Sequence, residues 1–179
     1  IYFISEANFL DKHSYYWNEY TASVDDNEIW LEQNSCDVSL EVNSDLEVCL
    51  ADQSLIQDIA RFQSLAFDSS LDHAEMYARE SVLDENCLLY VLRKNGQICG
   101  SCSVDISLGT NYLFGLAIDE IFRGLGLGSH LVKFILNDLH QRNGRLCQIV
   151  VEVQNTGALR LYQRLGFEKK SEIIYLKRK

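Results

Sequence analysis

The most constraining stretch of the chain is residues 112–136, where an apolar run leads into closely spaced glycines and then into a helical pattern. The apolar run is interrupted only by Gly115 and ends at Asp119. Glycines then alternate with leucines, and apolar residues recur at helical spacing as far as Leu139. This pattern predicts a strand, a glycine-rich turn and an amphipathic helix. Such a turn directs free backbone N–H groups and a helix N-terminus at one point, which is a geometry that binds phosphate groups.

The glycine spacing separates the known kinds of phosphate-binding turn. A P-loop needs a Gly-Lys pair, and the sequence contains none. The dinucleotide fingerprint Gly-x-Gly-x-x-Gly fails from Gly124, because its third position is Ser129, and from Gly126, because its third position is Leu131. The pattern that fits is Arg-x-x-Gly-x-Gly, which begins at Arg123. A tight turn that only joins a strand to a helix stays open as the alternative.

Hydrophobic periodicity predicts the order β-α-α-β-β-β-α-β-α-β from residue 47 onward, which is an α+β fold with a mixed sheet flanked by helices. The two sharpest local signals are a helix cap at Asp52 or Ser54 and a hairpin turn at Asn95-Gly96. The first predicted elements are a strand at 47–51, a helix from about 55, a helix at 71–83 and strands at 87–92, 97–105 and 112–118. They are followed by a helix to about 142 stopped by Asn143-Gly144, a strand at 146–153, a helix at 154–165 and a closing strand or hairpin at 167–176.

Two segments together resemble the GCN5-related N-acetyltransferase (GNAT) family. Arg123-x-x-Gly126-x-Gly128 resembles its acetyl-CoA signature, and the segment 155–167 resembles its later motif, with Asn, Ala, Leu-Tyr and Gly-Phe at matching positions. The resemblance covers about residues 47–179. It implies a GNAT-like fold of three layers, with a mixed, mostly antiparallel sheet between helices. It also implies transfer of an acetyl group from acetyl-CoA to a primary amine of a small molecule or peptide.

The resemblance also implies which residues bind acetyl-CoA. Backbone N–H groups of the turn would hold the pyrophosphate, and the end of the preceding strand would pair with the pantetheine as an added strand. Asn155 would hydrogen-bond the cofactor arm, and Ala158 would leave room beside it. The implied turn residues are Arg123, Gly124, Leu125, Gly126, Leu127, Gly128 and Ser129, and the implied strand residues are Leu116, Ala117 and Ile118.

Tyr162 matches the family's tyrosine that protonates the departing CoA thiolate. The alternative is an aromatic residue on the apolar face of its helix. A backbone N–H near Ile118 could stabilise the tetrahedral oxyanion. Glu152 ranks first as the general base, because a carboxylate inside a buried strand is costly unless it is paired or functional. Glu120 and Asp105 are alternative bases. A further alternative is that Glu152 only pairs with a basic neighbour and that water relays the proton.

Charge is distributed unevenly along the chain, whose net charge is −10. Residues 1–90 carry 19 acidic and 3 basic side chains, whereas residues 91–179 carry 7 acidic and 13 basic ones. The basic half contains the glycine turn, and the acidic half could attract a cationic acceptor; ordinary solvated faces are the alternative. Nucleic-acid binding is not expected, because only the tail 177–179 clusters basic residues.

Composition argues against a membrane protein and against a metal site. The chain has neither an apolar run of membrane-spanning length nor a recognisable signal peptide, so no membrane association is expected. Cys99 and Cys102 should lie on opposite faces of a strand, which predicts buried free thiols and a cytoplasmic protein. The histidines show no ligand spacing, so no metal site is predicted.

Residues 1–46 form a separate acidic and aromatic-rich stretch, and residues 47–179 form the predicted acetyltransferase domain. The first stretch carries eight of the nineteen aromatic residues, too many for a disordered tail. It is interpreted as a folded extension, and it could be the remnant of a second GNAT-like half. A strand is predicted at 37–42 and a turn at 25–27. Edge strands and this extension are compatible with a homodimer.

Two functions other than amine acetylation stay open at this point. One is a non-catalytic GNAT-fold module that binds acyl-CoA or regulates a partner. The intact glycine turn and Tyr162 favour the enzyme, because a degenerate copy is expected to lose them. The other is an acyltransferase with a different donor or an alcohol acceptor.

Overall fold

The structure is a computed structural model that describes residues 2–5, 20–22, 27–33 and 45–178. It divides into two compact units, one of residues 34–147 and the other of residues 1–33 and 148–179. This division does not follow the predicted boundary at residue 46, so the assignment of 1–46 and 47–179 as separate domains stays a prediction. The strand predicted at 37–42 and residues 25 and 26 of the predicted turn lie outside the described residues.

The first unit contains an antiparallel sheet with strand order β4-β5-β6-β7 and three helices. Its element order agrees with the predicted one, and short 3-10 turns at Gln53–Leu55 and Glu120–Phe122 are added. The elements are β4 Leu46–Leu50, α1 Ile56–Ala66, α2 Leu71–Leu83, β5 Cys87–Lys94, β6 Gln97–Asp105, β7 Asn111–Ile118 and α3 Leu127–Arg142.

Side chains of β5 show that helices cover both faces of this sheet. Leu89 and Val91 belong to a buried cluster with residues of α1 and α2. Tyr90, which lies between them, packs edge-to-face on Phe134 of α3, and its hydroxyl donates a 2.6 Å hydrogen bond to Asp138. Successive strand residues point to opposite faces, so α1 and α2 lie on one face and α3 on the other. The predicted layering is therefore present within this unit.

Local signals set the boundaries of α1 and α2. The Asp52 carboxylate accepts a 2.7 Å hydrogen bond from the Ser54 N–H and begins the turn that leads into α1. The Ser70 hydroxyl accepts the N–H of His73 at 3.3 Å and caps α2. Both are standard capping arrangements, in which a short polar side chain replaces a missing helical acceptor. The predicted bounds of 71–83 for α2 are confirmed.

The predicted hairpin between β5 and β6 is also confirmed. Asn95 and Gly96 have φ of 51° and 80°, which is the left-handed pair that a tight two-residue turn requires. Cys99 and Cys102 on β6 are buried free thiols, as predicted. Burial raises the pKa of the Cys102 thiol to about 12, so this sulfur is a packing group rather than a nucleophile.

A pair of asparagine side chains, of which Asn111 is buried and Asn143 is exposed, joins the start of β7 to the end of α3. Asn111 and Asn143 exchange two side-chain hydrogen bonds of 3.0 and 2.9 Å. Gly144, with φ of 59°, ends the helix as predicted, and its N–H donates to the Leu139 carbonyl. The strand and the helix are thereby tied together at the end opposite to the glycine turn.

The second unit is built around its long last strand. Strands β1, β2 and β3 all pair antiparallel with β9, and the strand order is β1-β9-β3-β8 with β2 also on β9. The closing segment is thus one strand, and β3 was not predicted. The elements are β1 Tyr2–Ser5, β2 Tyr20–Ala22, β3 Glu28–Gln33, β8 Cys147–Glu152, α4 Thr156–Arg164 and β9 Glu168–Arg178. Strand β8 begins at the last residue of the first unit. Within the described residues, no helix is long and apolar enough to cross a membrane.

Truncation of a buried side chain of α3 tests the layered packing of the first unit. Leu131 is 0% exposed, whereas Leu108, in the loop before β7, is 85% exposed. We expect Leu131→Ala to lower the free energy of unfolding by about 2–5 kcal/mol, because it leaves a cavity. Leu108→Ala should change it by less than about 0.5 kcal/mol. Urea unfolding of both variants measures the difference, and equal effects would contradict the packing described here.

Candidate functional site

A bulge in β7 marks one end of the site. In the pairing with β6, Ser101 is opposite Ala117 and Ser103 is opposite Phe114, so Gly115 and Leu116 together face the single residue between them. Gly115 has φ of +61°, and a Cβ added there would meet no atom within 4 Å. The glycine inside the apolar run therefore lies in a β-bulge that opens onto free space.

The segment after β7 is held by local hydrogen bonds. The N–H of Asp119 donates to the Cys99 carbonyl at 2.9 Å, and the Asp119 carboxylate accepts the N–H of Ile121 at 3.1 Å. The Nε of Arg123 donates to the Ile118 carbonyl at 3.2 Å. This last contact folds the arginine side chain back onto the strand end and places its backbone at the start of the glycine turn.

The glycine turn presents unused donors at the start of α3. Gly124 and Gly126 have φ of +78° and +80°, and a Cβ at either position would meet no atom within 4 Å. Gly126 begins α3 without a side-chain cap. In the described part of the chain, the amides of residues 124–129 donate to no carbonyl, and bonding resumes with His130 to Gly126. These amides and the positive end of the helix dipole make the turn able to bind an anion.

The imidazole nearest to this turn stays neutral around neutral pH. Burial lowers the pKa of His130, and the positive charge of Lys133 lowers it further. The positive character of the turn therefore comes from backbone N–H groups, Arg123 and Lys133 rather than from a protonated histidine.

A cavity of about 310 Å³ lies at the bulge. Helices α1 and α2, the loop between them and the bulge of β7 all contribute to its wall. Two titratable side chains line it, His73 and Tyr77. Burial raises the pKa of the Tyr77 phenol, and the neighbouring Cys87, Tyr112 and Glu80 raise it further. The lining residues are Gln63, Phe67, Ser69, His73, Ala74, Tyr77 and Gly115.

Two other cavities of the first unit contain the alternative base candidates. Glu120 lines a cavity of about 640 Å³ beside the glycine turn. Arg61, Arg93 and Arg123 also line this cavity. Asp105 lines a cavity of about 540 Å³ that also receives Glu80. Neither carboxylate lines the cavity at the bulge. Sequence reasoning did not select His73, because no motif or spacing connects it to residue 115.

In the second unit, Asn155 acts as the cap of α4. Its side-chain oxygen accepts the N–H of Ala158 at 3.1 Å, and the residue is exposed. Capping of the helix is by itself a structural reason for an asparagine at this position. Because the oxygen is used by the cap, the side-chain NH₂ group is the part that can bind a ligand. Ala158 is half-buried.

Tyr162 lies on the buried face of α4. Its side chain is 3% exposed, and its ring packs edge-to-face on Phe167 with a centroid distance of 5.5 Å. Gly166, between them in the motif, has φ of +90°. The Leu-Tyr and Gly-Phe parts of the second motif therefore form one local packing unit, and the position of Tyr162 is fixed by that packing.

The expected burial of Glu152 was wrong. Glu152 is the last residue of β8 and is exposed, whereas Val151 beside it is 5% exposed. Strand residues alternate between faces, so a carboxylate beside a buried valine points to the opposite side. The cost of burying a charge, which was the argument for Glu152 as the base, does not apply.

The structure brings the predicted pyrophosphate and pantetheine residues together along one continuous segment. Residues 116–118 end β7, and residues 123–129 form the turn and the first residues of α3. The four other predicted residues, Glu152, Asn155, Ala158 and Tyr162, lie in the second unit, between the end of β8 and α4. Within the described residues, no group of three or more His, Cys, Asp or Glu side chains could hold a metal ion.

Replacement of Gly126 by alanine tests the left-handed turn. We expect Gly126→Ala to lower the free energy of unfolding by about 1–2 kcal/mol, because an L-residue is strained in that region. Gly157→Ala is the matched control, since its φ is not positive and its new Cβ would meet only an Asn155 oxygen at 3.9 Å. That control lies inside α4 and should be neutral or stabilising by up to about 1 kcal/mol. Urea unfolding decides, and no difference between the two variants would contradict the strain.

Two curated relatives with N-acetyltransferase names match about half of the chain. An uncharacterized N-acetyltransferase of Methanocaldococcus jannaschii is 30% identical over 91 residues, which cover 47% of this chain and 40% of that protein. The ribosomal protein bS18 alanine N-acetyltransferase of Escherichia coli is 28% identical over 85 residues, which cover 48% of this chain and 57% of that protein. The chain thus spans about half the length of these relatives.

Solved structures confirm the fold. A GCN5-related N-acetyltransferase from Kribbella flavida aligns with a TM-score of 0.72 and 17% identity, over 99% of this chain and 66% of that chain. AAC(6')-Iy in complex with the bisubstrate analog CoA-S-monomethyl-acetylneamine aligns with a TM-score of 0.61 and 16% identity, over 70% of this chain and 92% of that chain. At these identities the likeness concerns the fold alone, and it confirms the α+β class.

The family itself is shown by a match over most of the chain. The family model described as the acetyltransferase (GNAT) family matches residues 54–167. That range begins in the turn before α1 and includes the bulge of β7, the glycine turn and the second motif. The chain therefore belongs to the acetyltransferase (GNAT) family.

Proposed function

We propose that this protein is an acetyl-CoA-dependent N-acetyltransferase that acetylates a primary amine. The observation that carries the proposal is the glycine turn at residues 123–129, with its left-handed glycines and unused amides, inside the range that the family model matches. Membership of the family makes acetyl-CoA the ligand to test first at this turn.

The turn fits the pyrophosphate of coenzyme A in both charge and space. Its amides have no carbonyl acceptor in the described part of the chain, and they lie at the positive end of α3. No side chain occupies the space where a Cβ of Gly124 or Gly126 would lie. Pyrophosphate oxygens could therefore approach the backbone closely and accept several N–H groups at once, which is how helix N-termini bind phosphates.

The strand before the turn suits the pantetheine arm. Ile118 and Ala117 are paired with Gly100 and Ser101 of β6 on one side. Leu116 lies in the bulge, where regular pairing is interrupted. The pantetheine amides could hydrogen-bond this strand end as an added strand would. From a pyrophosphate at the turn, the arm would run back along residues 118–116, and the thioester would lie near the bulge at Gly115.

The chemistry needs an oxyanion donor and a proton for the leaving thiolate. Attack of a neutral amine on the thioester carbonyl forms a tetrahedral oxyanion, which a backbone N–H of the strand end near Ile118 could stabilise. Collapse of this intermediate breaks the C–S bond, and the thiolate takes a proton. We assign that proton to the Tyr162 hydroxyl on the basis of the motif. The packing of Tyr162 against Phe167 would hold the phenol in one position.

Three further residues of the second unit retain proposed roles. The side-chain NH₂ of Asn155 could hydrogen-bond the cofactor arm while its oxygen caps α4. Ala158 would leave room beside it. Glu152 keeps only a weaker claim to be the base, because it is exposed and a surface carboxylate needs no functional explanation.

The relatives support an amine as the acceptor. The Escherichia coli relative is named for an alanine of a ribosomal protein, and the AAC(6')-Iy complex contains an acetylneamine analog joined to coenzyme A. The first name concerns an alanine of a protein, and the second concerns an acetylated small molecule. The free thiols of the described cysteines support a cytoplasmic location. The edge position of β4 leaves a homodimer as a further proposal.

Acetyl-CoA should stabilise the protein through its pyrophosphate. At a hundredfold excess over its Kd, the gain is about 2.7 kcal/mol, which raises Tm by about 5–10 °C in a chain of this size. S-acetyl-N-acetylcysteamine, which has the thioester but lacks the pyrophosphate, should give no shift at the same concentration. Gly126→Ala should reduce the acetyl-CoA shift measured from its own ligand-free Tm. Absence of any shift for the wild-type protein would contradict the proposed function.

Tyr162→Phe should separate catalysis from binding. We expect kcat to fall by about 10²-fold or more, with an unchanged thermal shift by acetyl-CoA, because the ring and its packing on Phe167 are kept. Tyr175→Phe is the matched control in the same unit; it removes a hydroxyl that donates to Glu28 at 2.6 Å and should leave kcat unchanged. Release of free thiol reports turnover. Unchanged kcat in Tyr162→Phe would remove Tyr162 from the acid role.

A further inference from the structure

The proposed reaction needs a better-supported group than Glu152 to take the proton of the acceptor, and the cavity at the bulge contains one candidate. A primary amine is protonated at neutral pH, so it must lose a proton before it attacks. Glu120 and Asp105 line other cavities, and the burial that favoured Glu152 is absent. A base has to lie where the amine meets the thioester, which the proposed function places near Gly115.

The lining of the cavity at the bulge restricts which side chain can act. His73 and Tyr77 are its two titratable residues. Burial raises the pKa of the Tyr77 phenol, so this group stays protonated and accepts no proton. A neutral imidazole is the side chain best suited to accept a proton near neutral pH. His73 is exposed and lines the cavity, and its backbone N–H donates to the Ser70 hydroxyl, so the residue lies in the first turn of α2.

We propose that His73 is the general base of this enzyme and that the acceptor is a primary amine carried on an apolar group. The proposal rests on the proposed function, because it needs the thioester near the bulge. His73 and Gly115 line the same cavity of about 310 Å³, so an amine beside the imidazole is also beside the strand end that would hold the thioester.

The same lining defines the acceptor. The walls include the ring of Phe67, the ring of Tyr77 and the methyl group of Ala74. Tyr77 packs edge-to-face on Phe114 of β7 with a centroid distance of 6.5 Å, which fixes this aromatic wall. No carboxylate lines the cavity, within the described residues. A second cation on the acceptor would find no counter-charge here, whereas an aromatic or aliphatic group would bury apolar surface. The acidic character of residues 1–90 therefore does not decide what this cavity binds.

The proton balance of the step is simple. The ammonium gives one proton to the imidazole, and the lone pair of the amine forms the C–N bond at the thioester carbon. When the C–S bond breaks, sulfur leaves with the bonding electrons and takes the proton of the Tyr162 hydroxyl, and the second proton of the nitrogen restores that hydroxyl. One amide, one thiol and one net proton result, and the imidazolium then releases the proton it holds to water.

The test uses the full chain, acetyl-CoA and two probe amines, 2-phenylethylamine and spermidine. We expect the wild-type protein to have at least a tenfold higher kcat/KM for 2-phenylethylamine. His73→Ala should lower kcat by about 10²-fold or more, leave the acetyl-CoA thermal shift unchanged, and regain part of its kcat in millimolar imidazole, which can enter the vacated space. His140→Ala, at an exposed position in the last turn of α3, is the matched control and should show neither effect.

The outcomes separate this inference from the proposed function. If acetyl-CoA gives no thermal shift in the wild-type protein, the proposed function fails and the inference fails with it. If acetyl-CoA binds but neither amine is acetylated, the assignment of the cavity is overturned. If His73→Ala keeps kcat within about twofold of the wild type, where loss of a general base costs far more, His73 is not the base although the function stands. A higher kcat/KM for spermidine overturns the apolar acceptor.

Discussion

The candidate site depends on three backbone positions with positive φ, at Gly115, Gly124 and Gly126. Any other L-residue would be strained there by about 1–2 kcal/mol. The first position bulges β7, and the other two turn the chain from the strand end into α3. Each leaves open space where a side chain would otherwise stand. One short segment can therefore offer both a strand end and a helix N-terminus to a single extended ligand.

This segment is held from outside by ordinary packing. The alternation of Leu89, Tyr90 and Val91 on β5 attaches helices to both faces of the first unit's sheet. The two hydrogen bonds between the side chains of Asn111 and Asn143 then tie β7 to α3 at the end away from the turn. A site on rigid elements keeps its donors in place when a ligand arrives, which lowers the cost of organising them. Because this packing stabilises β7 and α3, the glycine turn between them does not need side chains of its own to hold it in place.

Local signals in the sequence predicted much of the fold. The Asp52 cap marked the turn that leads into α1, Asn95-Gly96 marked the hairpin, and Gly144 marked the end of α3. Each depends on the conformational preference of one or two residues. Strand β3 escaped prediction, because its pairing with β9 joins segments more than a hundred residues apart. The burial of Glu152 was misjudged for a related reason: valines on both sides suggest a buried run, but only the tertiary structure shows that the carboxylate faces outward.

The sequence by itself determined the glycine turn and the membership of the family, because both are set by residue types at fixed spacing along the chain. Only the tertiary structure decided which side chains share a cavity with the bulge. His73 and Gly115 are distant in sequence, and they meet because α1 and α2 bury their apolar faces on the same sheet that contains β7. No local pattern encodes such a meeting, since it results from the packing of whole elements rather than from the preferences of neighbouring residues.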